Sequence, residues 1–142
     1  MGWSEWAREV EVEPSIYAAD FSRLGEQLGV LVEAGAQVIH FDAGDANFIP
    51  EITIGPVVVA SIAPLAHAWG ATLDCHLMVE RPERHFEAFA AAGGDSVTFH
   101  VEAVEDRLGA IAQARALGLG VGVALNPETA PEEAIGVAEG AD

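Results

Sequence analysis

From Asp20 to its end the chain switches repeatedly between two spacings of apolar residues, and that alternation restricts the folds open to it. Leu24, Leu28, Leu31 and Val32 recur at the spacing of one helix face, with Asp20 as N-cap and Gly35 as the stop of a helix over 21–34. Val38, Ile39 and Phe41 are strand formers that run into a loop rich in Gly, Asp and Asn. The pattern then repeats. Pro56 opens a helix whose apolar run stops near Pro64, and residues 71–77 form a strand. Pro82 opens a helix ending at Gly93-Gly94, and residues 96–101 form a strand. A helix to Gly118, a strand over 121–125 and a helix from Pro131 complete the series. Residues 10–16, although interrupted by acidic residues and Pro14, are the expected first strand. Strict alternation of this kind specifies a parallel β/α sheet. A weak internal repeat agrees with it: Ala34-Gly35-Ala36-Gln37-Val38-Ile39 lines up with Ala92-Gly93-Gly94-Asp95-Ser96-Val97 as helix stop, turn and strand start.

Side chains alternate across a strand, so His40 and Asp42 share one face, as do Asp74, His76 and Met78, and then Thr98, His100 and Glu102. Neutral imidazole and carboxylate are both ligands for a divalent cation, and an aspartate beside a cation can also accept a proton. A single strand end bearing His and Asp more often satisfies loop backbone. Here Ser15, His40, Asp42, His76, His100, Glu102 and Asn126 all fall at or near strand carboxyl ends, where ligands collect in parallel β/α folds. Residues 14–20 contain no glycine for a phosphate loop after the first strand, which favours a closed barrel over a doubly wound sheet. Asp74, two residues before His76 on the same face, is a candidate for orienting a ligand or for a buried structural carboxylate. His67 and His85 read as surface residues, and His100 and Glu102 as support for the barrel interior.

A length of 142 residues suits a single domain over 1–142, and an apolar fraction of 51% excludes disorder. Trp3 and Trp6 are expected to cover one end of the domain. No apolar run approaches the roughly 18 residues of a membrane span, and the acidic N-terminal segment does not resemble a signal peptide. A soluble, cytoplasmic protein is expected. The net charge of −17, with six arginines as the only Lys or Arg cations, disfavours nucleic acid and anionic membranes as partners. Cys75, the one cysteine, cannot form an internal disulfide.

Several segments in order resemble the ribulose-phosphate 3-epimerase family: Pro14-Ser15-Ile16 with Ala18-Ala19-Asp20-Phe21; His40-Phe41-Asp42 with Asp45, Phe48 and Pro50; and Ile52-Thr53-Ile54-Gly55-Pro56. Leu73-Asp74-Cys75-His76-Leu77-Met78, Thr98-Phe99-His100-Val101-Glu102-Ala103 and Leu125-Asn126-Pro127 continue the match through most of the chain. The resemblance implies a (β/α)8 TIM barrel of the ribulose-phosphate-binding type that inverts carbon 3 of D-ribulose 5-phosphate to give D-xylulose 5-phosphate. It implies two aspartates exchanging a proton through an enediolate, with a divalent cation on the oxygens, zinc first and iron, manganese or cobalt as alternatives. By position it makes His40, Asp42 and His76 three of four metal ligands and Asp42 one of the two acid/base groups. Ser15, His76 and Met78 become substrate contacts, and the partners are a sugar phosphate and, in assembly, a second copy of the chain.

The chain also departs from the family pattern, which reads Met-Asp-Gly where this sequence has Gly44-Asp45-Ala46, and Asn where it has Glu51. Gly44 removes a sulfur-bearing side chain from the pocket wall, and Tyr17 is expected to refill part of that space. A closed barrel needs roughly 200 residues or more. The expectation is therefore a barrel truncated to about five β/α units, inactive by itself. Two alternatives stand beside the pentose-phosphate epimerase: a hexulose 6-phosphate 3-epimerase, and a non-catalytic metal- or sugar-phosphate-binding homologue. A decarboxylase on the same barrel would need lysine, which the chain lacks.

Overall fold

A computed structural model describes residues 12–142, so the expectations for Trp3, Trp6 and residues 10–11 lie outside the described part. The elements run α1 (Leu24–Glu33), β1 (Val38–Gly44), α2 (Pro56–Ala68), β2 (Thr72–Met78), α3 (Phe86–Ala92), β3 (Ser96–His100), α4 (Arg107–Ala116), β4 (Gly120–Ala124) and α5 (Glu132–Ala138). All strand pairs are parallel, and the sheet order β1-β2-β3-β4 follows the sequence.

The helices of the first four β/α units stop in the same way, and this punctuation produces the repeat. Gly35, Gly93, Gly70 and Gly118 adopt φ of +104°, +96°, +81° and +82°, a region costly for any residue with a Cβ. The next amide then reaches back to the last helical turn: Ala36 N to Leu31 O, Ala71 N to Ala66 O, Gly94 N to Phe89 O and Leu119 N to Ala114 O. Each helix is thus turned onto the start of the next strand.

Three details differ from what the sequence predicts. Residues 12–16 form no strand, only a single parallel bridge between Ser15 and His40, with His40 N donating to Pro14 O at 3.1 Å. Pro14 has no N–H for a ladder, and a 3-10 turn over Ile16–Ala18 starts at once. Asp20 caps a second 3-10 turn, Phe21–Arg23, that leads into α1. The helix α2 continues through Pro64, whose missing N–H would have bonded Ala60; both residues are exposed, so water can serve that carbonyl.

The apolar core lies between the sheet and the helices. Ile39, Phe41, Leu73, Cys75, Leu77, Val97, Phe99 and Val121 are fully buried on the helix-facing side. Phe41 meets Phe89 edge-on at 6.1 Å, and Phe86 lies 5.9 Å from Phe99. Burial pushes the Cys75 thiol far above its usual range, which makes it inert packing. The opposite face of the sheet is polar.

Candidate metal centre

Parallel pairing without stagger builds that polar face in layers. His40 lies beside Asp74 and Asp42 beside His76, and one strand further on Asp74 pairs with Ser96 and His76 with Thr98. Thr98 in turn pairs with Gly122, where a Cβ would collide with the Thr98 hydroxyl.

Three donors converge on this face. His40 Nε2 and His76 Nδ1 each lie 3.2 Å from Asp42 Oδ1. The three donor atoms all sit within 4.8 Å of one another. Tetrahedral zinc with bonds near 2.0–2.1 Å holds its ligands about 3.3 Å apart, so the donor set and spacing fit a cation of this kind. The second carboxylate oxygen, Asp42 Oδ2, accepts a short hydrogen bond from the Ser15 hydroxyl. Met78 lies one layer further along β2, beside Gly44 in the register.

A second ring of partners fixes the first. His40 Nδ1 lies 3.0 Å from Asp74 Oδ2 and 3.8 Å from Glu13 Oε2. Asp74, 3% exposed, accepts from Ser96 Oγ at 2.5 Å and Thr98 Oγ1 at 3.3 Å. Thr53 Oγ1 donates to Asp42 O at 2.9 Å and accepts from Gly44 N at 2.6 Å, tying the following loop to β1. His76 Nε2 lies 2.9 Å from His100 Nε2, and Phe48 packs on His100 with ring centroids 4.9 Å apart.

These contacts set the charges. Hydrogen bonds to Asp42 and then Asp74 push His40 up to about 10, against the opposing effect of burial. His40, His76 and Ser15 hold the Asp42 carboxyl far below the usual carboxylate range. Burial, and then the neighbouring His76, lowers His100. Burial favours the neutral form of Glu102, but hydrogen bonds from Thr129 and the Asn126 amide outweigh it and leave the carboxyl lowered.

The five residues expected to form the site therefore lie on one face, four of them in direct contact. The sequence placed Asp74 on the correct face but did not reveal that it holds His40, because that contact crosses strands and depends on register. Glu13, Thr53 and Phe48 were not expected at the cluster; Phe48 and Thr53 carried a signal, Phe48 with the His40-Phe41-Asp42 motif and Thr53 in the Ile52-Thr53-Ile54-Gly55-Pro56 segment, and Glu13 carried none. Tyr17 does not refill the space at Gly44. It is half exposed, and the Ile49 side chain occupies that space, with Cδ1 2.5 Å from where a Gly44 Cβ would stand. Next to the cluster, Phe48 and Glu102 border a cleft of about 810 Å³ whose wall carries Glu80, Glu83, Glu105 and Asp106 against Arg81. Such a wall repels a phosphate.

A parallel β/α sheet with His and Asp donors at its carboxyl-end mouth is a TIM-barrel-type scaffold. A phospho-2-dehydro-3-deoxyheptonate aldolase from Thermotoga maritima shares this fold, with a TM-score of 0.68 over 92% of this chain and 37% of that one, at 14% identity. The chain itself belongs to the ribulose-phosphate 3-epimerase family, whose profile matches residues 11–140. It is 46% identical over 125 residues to the ribulose-phosphate 3-epimerase of Synechocystis sp., covering 87% of this chain and 53% of that protein. It is 41% identical over 120 residues to that of Bacillus subtilis, covering 84% and 54%. The chain thus spans about half the length of the curated relatives it matches.

Proposed function

We propose that the chain carries the metal-binding and first acid/base part of a ribulose-phosphate 3-epimerase site, acting on carbon 3 of D-ribulose 5-phosphate. The observation behind this is the convergence of His40 Nε2 and His76 Nδ1 on Asp42 Oδ1, each at 3.2 Å, at the carboxyl end of a parallel sheet. His40, Asp42 and His76 would hold a divalent cation, with zinc favoured by the donor set. Bound there, the cation supplies the positive charge that stabilises the oxygens of a developing enediolate.

Asp42 is the base. The C3–H bond breaks, its electron pair moves toward the C2 carbonyl, and the proton passes to the carboxylate. Return of a proton on the other face inverts the centre. Ser15, bonded to Asp42 Oδ2, holds that oxygen at rest and turns to the substrate when it binds. His76 and Met78 line the same face, with Met78 giving apolar contact. The partner in this reading is a small sugar phosphate; the charge of −17 disfavours nucleic acid and an anionic membrane, and among the described residues no helix is long and apolar enough to cross a membrane. A cytoplasmic location, a place in pentose phosphate metabolism and a homo-oligomeric assembly complete the reading.

The test is calorimetric titration of the metal-free protein with zinc, followed by incubation with D-ribulose 5-phosphate in D2O. One zinc per chain is expected, with affinity at least tenfold lower in Asp42→Asn and in His76→Ala. This chain alone is not expected to invert carbon 3, but the first half-reaction should bring deuterium to carbon 3 with the native protein and not with Asp42→Asn; equal exchange in both removes Asp42 as base.

A further inference from the structure

The tightest contact between imidazoles in the molecule joins a residue of the cluster to one the proposed chemistry does not use. His76 Nε2 and His100 Nε2 are 2.9 Å apart, with ring planes 18° from parallel and centroids 5.0 Å apart. That is an edge-to-edge, nearly in-plane contact, as a nitrogen-to-nitrogen hydrogen bond requires. His100 is 7% exposed, and its other nitrogen, Nδ1, is buried without a hydrogen-bond partner. The nearest charged group to that nitrogen is Glu102 Oε2 at 3.6 Å. Glu102 is held in place from behind, since its Oε1 accepts the Asn126 amide at 2.8 Å.

We infer that His100, backed by Glu102, is a positioning residue that selects the tautomer in which His76 offers Nδ1 to a cation. This rests on the metal-site reading above. A neutral imidazole carries one N–H, so the Nε2-to-Nε2 bond has one donor and one acceptor. If His100 donates, His76 carries its hydrogen on Nδ1, pointed at Asp42, and that nitrogen is closed to metal. If His76 donates, its Nδ1 lone pair is free, and the His100 hydrogen sits on Nδ1 facing Glu102. The second arrangement gives the orphaned buried nitrogen a carboxylate to donate to, once a side-chain adjustment of roughly half an ångström or more closes the 3.6 Å separation. Asp42 opposes it by attracting a hydrogen to His76 Nδ1. A cation bound by Asp42 removes that opposition, and the Glu102–His100–His76 chain then holds the ligand ring by the edge away from the metal. Phe48 packs on the His100 ring, with centroids 4.9 Å apart.

The experiment compares zinc affinity in the native protein, His100→Leu and His100→Gln, with nitrogen-15 spectra of the histidine rings of the zinc-loaded native protein. His100→Leu removes the acceptor and is expected to weaken zinc binding about 10–100-fold. His100→Gln restores an oxygen acceptor and is expected to recover most of that loss. The spectra should show His76 protonated on Nε2 and His100 on Nδ1. Unchanged affinity in His100→Leu, or His100 protonated on Nε2 in the native protein, overturns the relay while leaving the metal site intact. The spectra need no variant, so they decide between the two tautomers even where His100→Leu fails to fold. Failure of the native protein to bind zinc overturns the metal reading, and the relay falls with it.

Discussion

Asp74→Asn isolates what one buried carboxylate does for the cluster. Asparagine keeps the shape of the side chain, and its amide can still meet His40 Nδ1 and the Ser96 hydroxyl, which now lie 3.0 Å and 2.5 Å from the carboxylate oxygens. Cavity and unsatisfied-group costs therefore stay small, and the loss is that of the charge. A hydrogen bond to a charged group contributes about 1.5–3 kcal/mol, and about 1.4 kcal/mol corresponds to one pH unit of titration. His40 should then titrate about 1–2 pH units lower than in the native protein, where it stands at about 10, and remain above 6.5 because Asp42 still holds it. The sign of the stability effect follows. A group raised on folding contributes stability that is fully present below its unfolded value of 6.5 and is lost as pH rises through about 10. The Asp74→Asn deficit should therefore be full, about 1.5–3 kcal/mol, near pH 6, shrink as pH rises from the variant's lowered His40 titration to the native one at about 10, and be gone above it. Urea denaturation at several pH values, with an NMR titration of His40 in the metal-free protein, measures both quantities. A His40 titration that does not move, or a deficit that grows with pH, refutes the reasoning.

Zinc uptake at pH 7 should release about one proton, because the nitrogen proposed to bind metal belongs to a ring protonated up to about 10. Calorimetry in two buffers of different ionisation enthalpy reads the number, and zero rejects the His40 assignment. Gly44→Ala drives a methyl into Ile49 Cδ1 and to 3.1 Å from the Glu51 carbonyl, and should cost about 1–3 kcal/mol in urea denaturation. Adding Ile49→Ala should recover part of that cost, and strict additivity would show that the two positions do not share the space. Ala46 has φ of +62°, a conformation costing about 1–2 kcal/mol for a non-glycine residue, so Ala46→Gly should leave stability unchanged or raise it by up to about 1 kcal/mol. A loss above 1 kcal/mol in the same assay contradicts this.

The alternation of elements was legible because each helix stop is local: a glycine and its neighbours settle it, as at Gly35 and Gly93. The shared faces of His40 with Asp42 and of Asp74 with His76 were legible for the same reason, since alternation along one strand needs no partner. Register was not legible. Nothing within residues 38–44 or 72–78 says that His40 stands opposite Asp74 rather than His76. Side-chain filling was also out of reach. Tyr17 was the expected occupant of the space at Gly44, and the path of the loop after Asp45 puts Ile49 there instead. Asp45 fixes that path by accepting the amides of Asn47, Phe48 and, across to the next unit, Glu80.

A parallel sheet is commonly apolar on both faces, and this one is apolar on one. The polar face stays ordered because its groups are paired across strands at matching heights, His40 with Asp74 and Asp42 with His76, so the ladder that holds the strands also positions the proposed ligands. The cluster is therefore built on backbone register more than on loops. Affinity and stability become separable readouts. A substitution at Asp42 or His76 that removes metal and leaves unfolding unchanged has touched a ligand alone. One at Asp74 or Ser96 that lowers both has disturbed the pairing that brings the ligands together. If every substitution on this face lowered stability while zinc affinity followed only the folded fraction, the polar layer would be a structural network, and a catalytic site would have to be sought elsewhere in the protein.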